Sequence, residues 1–462
     1  QAASSDGAAP AAAAEPAEMG ACSQERGRLV LLLLCCNAVL YVNRANMSVA
    51  VTFMYSQSQT AERAQVLAAF YCGYPLMQVA AGHWAARTGG KRVLLVAAVC
   101  WSLATLLVIP AYELGPWAVC AVRVLVGASE GVNYPAQTAL LAAWIPVDER
   151  ARSFSLLAAG EPLGTTLAML GCALLAGVAG WRAVFAASAA LAVAWALAFA
   201  RLAAASPEAS RSVSREELEY IQRGRGDVDP CAALGYQSVP WGRFLTSQAL
   251  WAIFVPHAGF NWGYYLLLSV LPDYFQTKFH TKYDEMGVIT VLPYITLFLV
   301  DNLGGRVADQ LLLRRLRLPL VAVRKIATVV SLGGASVFFL LLSGLPACPA
   351  APCGGTWRAM AYVMGAVGMG GLSFSGFQVN FLDISPRFSS QLMGISNSIA
   401  SLPGVFGVMS LEWFHGDFSA VFKTVAGVEL LGAVWYALLA RAEDQRYDRP
   451  PAGGLLCAEL RA

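Results

Sequence analysis

The sequence predicts an all-α polytopic membrane protein of twelve transmembrane helices arranged in two six-helix halves. Three observations predict it. First, 57% of the 462 residues are hydrophobic and only 13% are charged. A soluble chain carries about 25% charged residues, so most of this surface does not face water. Second, continuous apolar runs recur, among them 29–54, 93–111, 156–179, 183–203, 329–345 and 424–440. A spanning helix needs about 20 such residues, and their lack of alternation argues against a β-barrel. Third, the longest polar segment, 204–246, falls midway through the series.

In order, the spans are read at 29–54, 64–86, 93–112, 117–143, 153–179 and 182–203, then at 248–275, 286–311, 321–345, 357–382, 390–411 and 418–440. Each is an apolar run closed by a polar, basic or Gly/Pro-containing turn. The polar linker contains SPEASRSVSREELEYIQRGRGDVD, with Ser214 placed to cap a helix opening at Arg215-Glu216-Glu217. This gives a disordered N-terminal segment (1–28), a first half (29–203), a linker (204–246), a second half (247–440) and a C-terminal tail (441–462). Residues 1–24 are Ala-rich with Asp6, Glu15 and Glu18, unlike an Arg-rich transit peptide. The chain begins with Gln1, consistent with a truncated or processed N-terminus.

Basic residues set the orientation. Arg87, Lys91, Arg92, Arg150, Arg152, Arg211, Arg215, Arg223, Arg225, Arg314, Arg315, Arg317, Arg324 and Lys325 all fall after even-numbered spans or in the linker. The opposite loops carry Arg63, Lys278, Lys282 and Arg358. The positive-inside rule puts the linker and both termini on the cytosol-equivalent side. A net charge of +3 implies no attraction to nucleic acid. Most of the eleven cysteines read as small buried hydrophobes, while Cys348 and Cys353 in CPAAPC are candidates to pair if that loop faces an oxidising lumen.

The two halves echo one another. GHWAARTGGKRVLL follows span 2 and GGRVADQLLLRRLR follows span 8, and such internal repeats mark transporters that rock about a midplane site. GHWAARTGGKRV resembles the loop signature G-x-x-x-D-R-x-G-R-[RK] of the major facilitator superfamily, with Ala86 where the family has Asp. YVNRANMSVAV, RVLVGASEGVNYPA, HAGFNWGYYLLLSVLPDYF, LPYITLFLVDNLGGRVAD and NFLDISPRFSSQLMGISNSIASLPGVFG resemble its anion:cation symporter branch. That branch includes vesicular glutamate transporters, sialin, sodium–phosphate carriers and plastid phosphate transporters, and FNWGYYLLLSVLPDY and LPYITLFLVDNLGG read closest to the plastid phosphate type. The resemblance covers about residues 29–440 and implies the major facilitator fold.

Charges inside the spans are the candidate site. Arg44 lies midway through span 1, where a guanidinium needs a partner or a wet cavity. It reads as an anion clamp or as a helix-bracing ion pair, and in the family the matching arginine is assigned to the substrate anion. Arg123 and Glu130 are seven residues apart, within about 20° of one helix face but about 10 Å apart along the axis. Each therefore wants a partner elsewhere. Glu130 is a candidate coupling acid or half of a static brace. Glu161, before Pro162, is a second candidate coupling acid or a hydrated span-end residue, and Asp301 raises the same question. Asn43 stands where relatives often carry an Asp implicated in proton coupling.

Tyr41, Tyr74, Asn261, Tyr264 and Asn397 are candidate substrate contacts beside Arg44 and Arg123, with Asn397 read either as an anion donor or as a bridge between helices. Tyr41, Asn43, Asn46, Tyr71, Tyr74, Tyr134, Asn261, Tyr264 and Tyr265, each by itself read as packing, form a set placed to line one central cavity. Arg87, Asp309, Asp383 and Arg387 are candidate structural or gating residues, with Asp383 and Arg387 spaced for an i,i+4 brace. Vesicular glutamate carriers have a histidine where this chain has Leu67 and a basic residue where it has Phe260, which weakens a glutamate assignment.

The resulting expectation is a secondary active transporter of a small anion, inorganic phosphate first, coupled to Na⁺ or H⁺ and monomeric, with the bilayer as its other partner. The alternatives are an organic-anion carrier (ascorbate, a sugar acid, a dicarboxylate, glutamate or a nucleotide) and a non-transporting receptor of the same fold. No P-loop, metal cluster or nucleophile motif stands out, so neither an enzyme, an ATP-driven pump nor a bound metal or organic cofactor is expected. The resemblance points to a plastid envelope or thylakoid membrane, with plasma and vesicle membranes as alternatives.

Overall fold

The computed structural model describes residues 25–56, 59–225, 239–281, 283–348, 355–445 and 447. The disorder expected for residues 1–24, Cys353 and most of the tail lie outside them. Among the described residues the fold is helical throughout. The first half comprises α1 (Glu25–Met54), α2 (Thr60–Thr88), α3 (Gly90–Leu114), α4 (Pro116–Gly131) with α5 (Asn133–Trp144), α6 (Arg150–Ala158) with α7 (Gly160–Ala179), and α8 (Trp181–Leu202). The linker holds α9 (Arg215–Gly224) and α10 (Trp241–Leu245). The second half comprises α11 (Gln248–Phe279), α12 (Tyr283–Arg306), α13 (Leu320–Ser343), α14 (Gly355–Gly370) with α15 (Asn380–Ile384), α16 (Ser389–Trp413) and α17 (Phe418–Leu439).

Taken end to end, these helices match the twelve expected spans. Seven of the described helical segments are long and apolar enough to cross a membrane by themselves. The first helix opens at Glu25, inside the segment read as a disordered tail, because Arg26 is held there by Glu149 (2.8 Å) and Glu217 (3.2 Å). Span 8 continues past its expected end as a wide π-helical turn, Val307–Arg315. Ser214 caps α9 as the sequence predicts, its hydroxyl accepting from the Glu217 N–H at 3.1 Å. Gly89, between α2 and α3, has φ 85°, which a residue without Cβ adopts at no steric cost.

Three spans are broken at mid-depth. Span 4 breaks at Val132 and span 5 at Ala159. In each, a proline follows three residues later (Pro135, Pro162) and lacks the N–H that would continue the ladder. Span 10 passes through a tight turn, Gly371–Ser375, before α15. Irregular backbone at this depth is tolerated where protein or a cavity surrounds it.

Helix α2 lies against α4 at backbone contact. A Cβ on Gly127 would sit 2.1 Å from the Phe70 carbonyl oxygen, so only glycine permits this approach. The small residues of VLVGASEG thus serve close packing, as the sequence suggests.

The halves are sealed on the linker side. Arg150 from the first half donates to Asp383 of the second at 3.2 Å, and Arg314 of the second reaches Asp148 of the first at 2.6 Å. The Arg152 backbone N–H donates to Asp309 at 2.7 Å. Deeper in the seam, Gly394 packs onto the Gln78 carbonyl, where a Cβ would meet oxygen at 2.4 Å. Helix α9 is strapped beneath this seal: the Tyr220 hydroxyl donates to Glu149 at 3.2 Å and Arg150 donates to the Arg225 carbonyl at 3.3 Å. Burial, with Glu149 and Asp148 beside it, pushes the Tyr220 hydroxyl up to about 12.

Candidate functional site

Arg44 occupies an aromatic cage. Its guanidinium carbon lies 4.6 Å from the Tyr41 ring centroid, 4.9 Å from Phe70 and 4.7 Å from Tyr74. Tyr41 is one helical turn before Arg44, and Phe70 and Tyr74 are one turn apart on α2, held close by the glycine contact with α4. Cation–π attraction of this kind is strongest where water is excluded. Within the cage, Arg44 Nε donates to Glu130 Oε2 and its NH1 donates to the Tyr41 hydroxyl, both at 3.3 Å.

Arg123 lies across the same ring, 5.0 Å from the Phe70 centroid, and is buried. It does not pair with Glu130. Among the described residues its Nε is a buried donor without a partner, as is Glu130 Oε1 on the acceptor side. Arg44 alone takes the Glu130 carboxylate. Arg123 therefore brings a buried guanidinium without an ion pair, and an unused donor, into a region where uncompensated charge costs several kcal/mol.

A cavity of about 40 Å³ opens beside the cage, room for a few water molecules. It is lined from both halves: Tyr41, Tyr74 and Glu161 on one side, His257, Asn261 and Tyr264 on the other, with Asn397 between. Asn397 donates to the Tyr74 hydroxyl at 3.2 Å across the seam, and Asn261 donates to the Ala400 carbonyl at 2.9 Å. Tyr41, Tyr74, Tyr134, Asn261, Tyr264, Tyr265 and Asn397 line this cavity, whereas Asn46, Tyr71, Arg44 and Arg123 are not part of its wall. Glu161 is 8% exposed and faces this cavity, so it is not a hydrated span-end residue.

Other expectations are corrected. Asn43 points away from the cavity: it donates to the carbonyls of Val39 (3.0 Å) and Ser188 (3.3 Å) and accepts from Thr105 (3.2 Å). An amide so saturated joins three spans and carries no charge to move. The Asp383–Arg387 brace does not form, because α15 ends at Ile384 and the chain turns before α16. Asp383 instead accepts from Arg150 at 3.2 Å and Arg324 at 2.7 Å, while the Arg387 guanidinium lies 5.4 Å from the Phe388 ring centroid. Arg87 is exposed in the last turn of α2, at the linker-side end where its loop was expected. Asp309 stands at the seam, accepting from the Arg152 backbone N–H. Cys348 is disulfide-bonded, and its expected partner Cys353 lies outside the described residues.

Sequence reasoning passed over His257, Gln378 and Glu429. His257 lines the cavity and shares a 2.8 Å hydrogen bond with the Ser396 hydroxyl. Its position four residues before Asn261 places both on one helix face, which is the signal that would have found it. Gln378 reaches the cavity only because span 10 breaks there, and no local pattern announces that. Glu429 is a buried acid in span 12 whose Oε2 has no hydrogen-bond partner among the described residues; a lone acid in an apolar run was visible at 424–440.

A bundle of two six-helix halves, meeting at a buried polar cavity beside an arginine cage and sealed on one face by ion pairs, is the architecture of a solute carrier. Comparison with known proteins agrees. The Major Facilitator Superfamily profile matches residues 33–407. The chain is 33% identical to the chloroplastic ascorbate transporter of Arabidopsis thaliana, over 90% of this chain and 75% of that protein. It is 32% identical to the chloroplastic sodium-dependent phosphate transport protein 1 of the same plant, over 90% and 80%. It is 28% identical to human sialin, over 95% and 93%. Among solved structures, the proton:xylose symporter XylE with 6-bromo-6-deoxy-D-glucose aligns at TM-score 0.63 and 16% identity, covering 90% of this chain and 96% of that one. The chain belongs to the Major Facilitator Superfamily, in the branch of its plastid anion transporters and sialin. It is a multi-pass membrane protein.

Proposed function

We propose that the protein is a secondary active transporter of a small anion, inorganic phosphate first, which enters the Arg44–Arg123 cage from the cavity. The observation that carries this reading is a buried guanidinium without an ion pair: Arg44 takes Glu130, while Arg123 keeps an unused donor among the described residues. A planar guanidinium fork suits phosphate or carboxylate oxygens. The phosphate carrier among the relatives supports the choice of ion. Glu130 is the coupling group, releasing Arg44 to the anion as the halves rock about the seam, and Glu161 is the second carboxyl within reach of the same water. The coupling ion is H⁺ or Na⁺. The protein works as a monomer, without a catalytic step or an organic cofactor, and resides in a plastid membrane like its chloroplastic relatives.

An organic anion is the second reading. The ascorbate carrier among the relatives and the tyrosine and amide hydrogen-bonding groups of the cavity wall favour it.

Proteoliposomes holding the full chain decide between the two. Labelled phosphate uptake under imposed Na⁺, pH or voltage gradients is expected, with loss in Arg44→Ala. No phosphate uptake under any gradient, alongside ascorbate uptake, would replace phosphate with the organic anion. Unchanged uptake in Arg44→Ala would remove the clamp.

A further inference from the structure

We propose that a second cleft, between α1, α6 and α12 on the linker side, binds the phosphate group of an anionic phospholipid of that leaflet. The cleft has a volume of about 310 Å³, within the ~300–1,000 Å³ range of small-ligand pockets and far roomier than the central cavity. Its polar wall is Arg26, Arg152, Arg306, Asn302 and Gln310, and its apolar wall includes Val30 and Leu31.

The charges in that wall are unequal. Glu149, its acid, is already held by Arg26 at 2.8 Å and Arg152 at 2.6 Å, and Arg26 also holds Glu217 at 3.2 Å. Three arginines against two carboxylates leave one positive charge. Among the described residues Arg306 has no ion-pair partner, and it is exposed. Gln310 lies four residues on, in the π-helical continuation of the same span, and lines the same wall. A guanidinium beside an amide donor offers a phosphate group two or more N–H donors.

Depth and surroundings favour a lipid over a free ion. Arg306 ends α12 and Arg26 opens α1, both at the linker-side membrane boundary where headgroups lie. Just deeper, Leu31 is 39% and Leu303 62% exposed, an apolar path along which an acyl chain runs. The basic loops cluster on this face, which the positive-inside rule assigns to the cytosol-equivalent side. Basic pockets between spans on that side suit such headgroups. The transport assignment plays no part in this inference.

The test embeds the full chain in nanodiscs of phosphatidylcholine alone or with phosphatidic acid, and counts retained lipid by native mass spectrometry. Phosphatidic acid is expected to be retained over phosphatidylcholine, and Arg306→Gln is expected to cut that retention about tenfold, one charge-assisted pair. Arg306→Lys keeps much of it, and Arg358→Gln on the opposite face changes nothing. Because Arg306 is exposed and unpaired, the melting temperature of Arg306→Gln in phosphatidylcholine should match the parent. A drop there is answered by Gln310→Leu, which should also reduce retention. Equal retention in both Arg306 and Gln310 variants overturns the site. A free-ion site replaces the lipid site if inorganic phosphate in phosphatidylcholine discs stabilises the protein as much as phosphatidic acid does, and Arg306→Gln abolishes that effect.

Discussion

The Nε of Arg44 lies 3.3 Å from Glu130, while Arg123, on the same helix as Glu130, lies over Phe70 and leaves the carboxylate to its distant partner. The acid thus pairs with a residue of another helix and not with the arginine of its own. Under the proposed function, one ionisation event at Glu130 decides whether Arg44 faces the carboxylate or an incoming anion.

Glu130→Gln should abolish concentrative uptake but spare exchange of anion across a gradient-free membrane. Losing one charge-assisted hydrogen bond at the coupling group corresponds to at least about a tenfold fall. Parallel measurement of gradient-driven uptake and counterflow checks this, and equal loss of both would assign Glu130 to the brace role.

Arg44→Lys retains the charge but not the planar fork. Anion uptake should fall about tenfold through a weaker apparent affinity, with less effect on the maximal rate. A full concentration series in proteoliposomes reads that split.

Asp383→Asn removes the negative charge shared by Arg150 and Arg324, turns one of the two acceptor oxygens into a donor, and leaves two buried guanidinium groups without that carboxylate. Breaking a buried pair costs about 3–5 kcal/mol, so the closed linker side should lose population. Single cysteines placed along the seam should label faster from the linker side in this variant, alongside a lower melting temperature.

Gly127→Ala forces a methyl group toward the Phe70 carbonyl, where a Cβ stands only 2.1 Å away. Helix α2 must retreat, and overpacking costs about 1–3 kcal/mol. Both the melting temperature and phosphate affinity should drop, because the retreat carries Phe70 and Tyr74 away from Arg44.

Acid should loosen the linker. Burial by itself would raise the Glu208 carboxyl, but its own backbone N–H and the Arg225 guanidinium, 2.6 Å away, outweigh this and hold it below the ordinary carboxylate range. The Glu208–Arg225 contact therefore stabilises docking above the unfolded-state value of about 4.3. That contribution fades as pH falls through the lower folded value. The hydrogen-exchange protection factors over Arg215–Gly224, corrected for the intrinsic rate at each pH, should fall toward acid pH in the parent, with a flatter profile in Glu208→Gln.

Much of this architecture was legible in the sequence. Span number and the two-half division follow from where apolar runs end and where polar turns and arginines cluster, because the bilayer penalises charge by depth. The capped helix at Ser214 was legible too, since capping is a contact over three residues. That Arg44, Arg123 and Glu130 require partners also follows from chemistry and depth.

Who partners whom was decided only by tertiary structure. Asp383 has a basic residue four positions on, yet it takes Arg150, 233 positions away, and Arg324. The break after Ile384 removes the helical spacing on which the local brace depended. Asn43 and Asn261 both sit in span interiors, and only helix rotation tells that the first joins spans while the second faces the cavity. His257 and Gln378 reach that cavity through the rotation of α11 and the broken tenth span. A one-dimensional pattern records depth and periodicity, whereas an ion pair or a cavity wall depends on how separate helices rotate against one another.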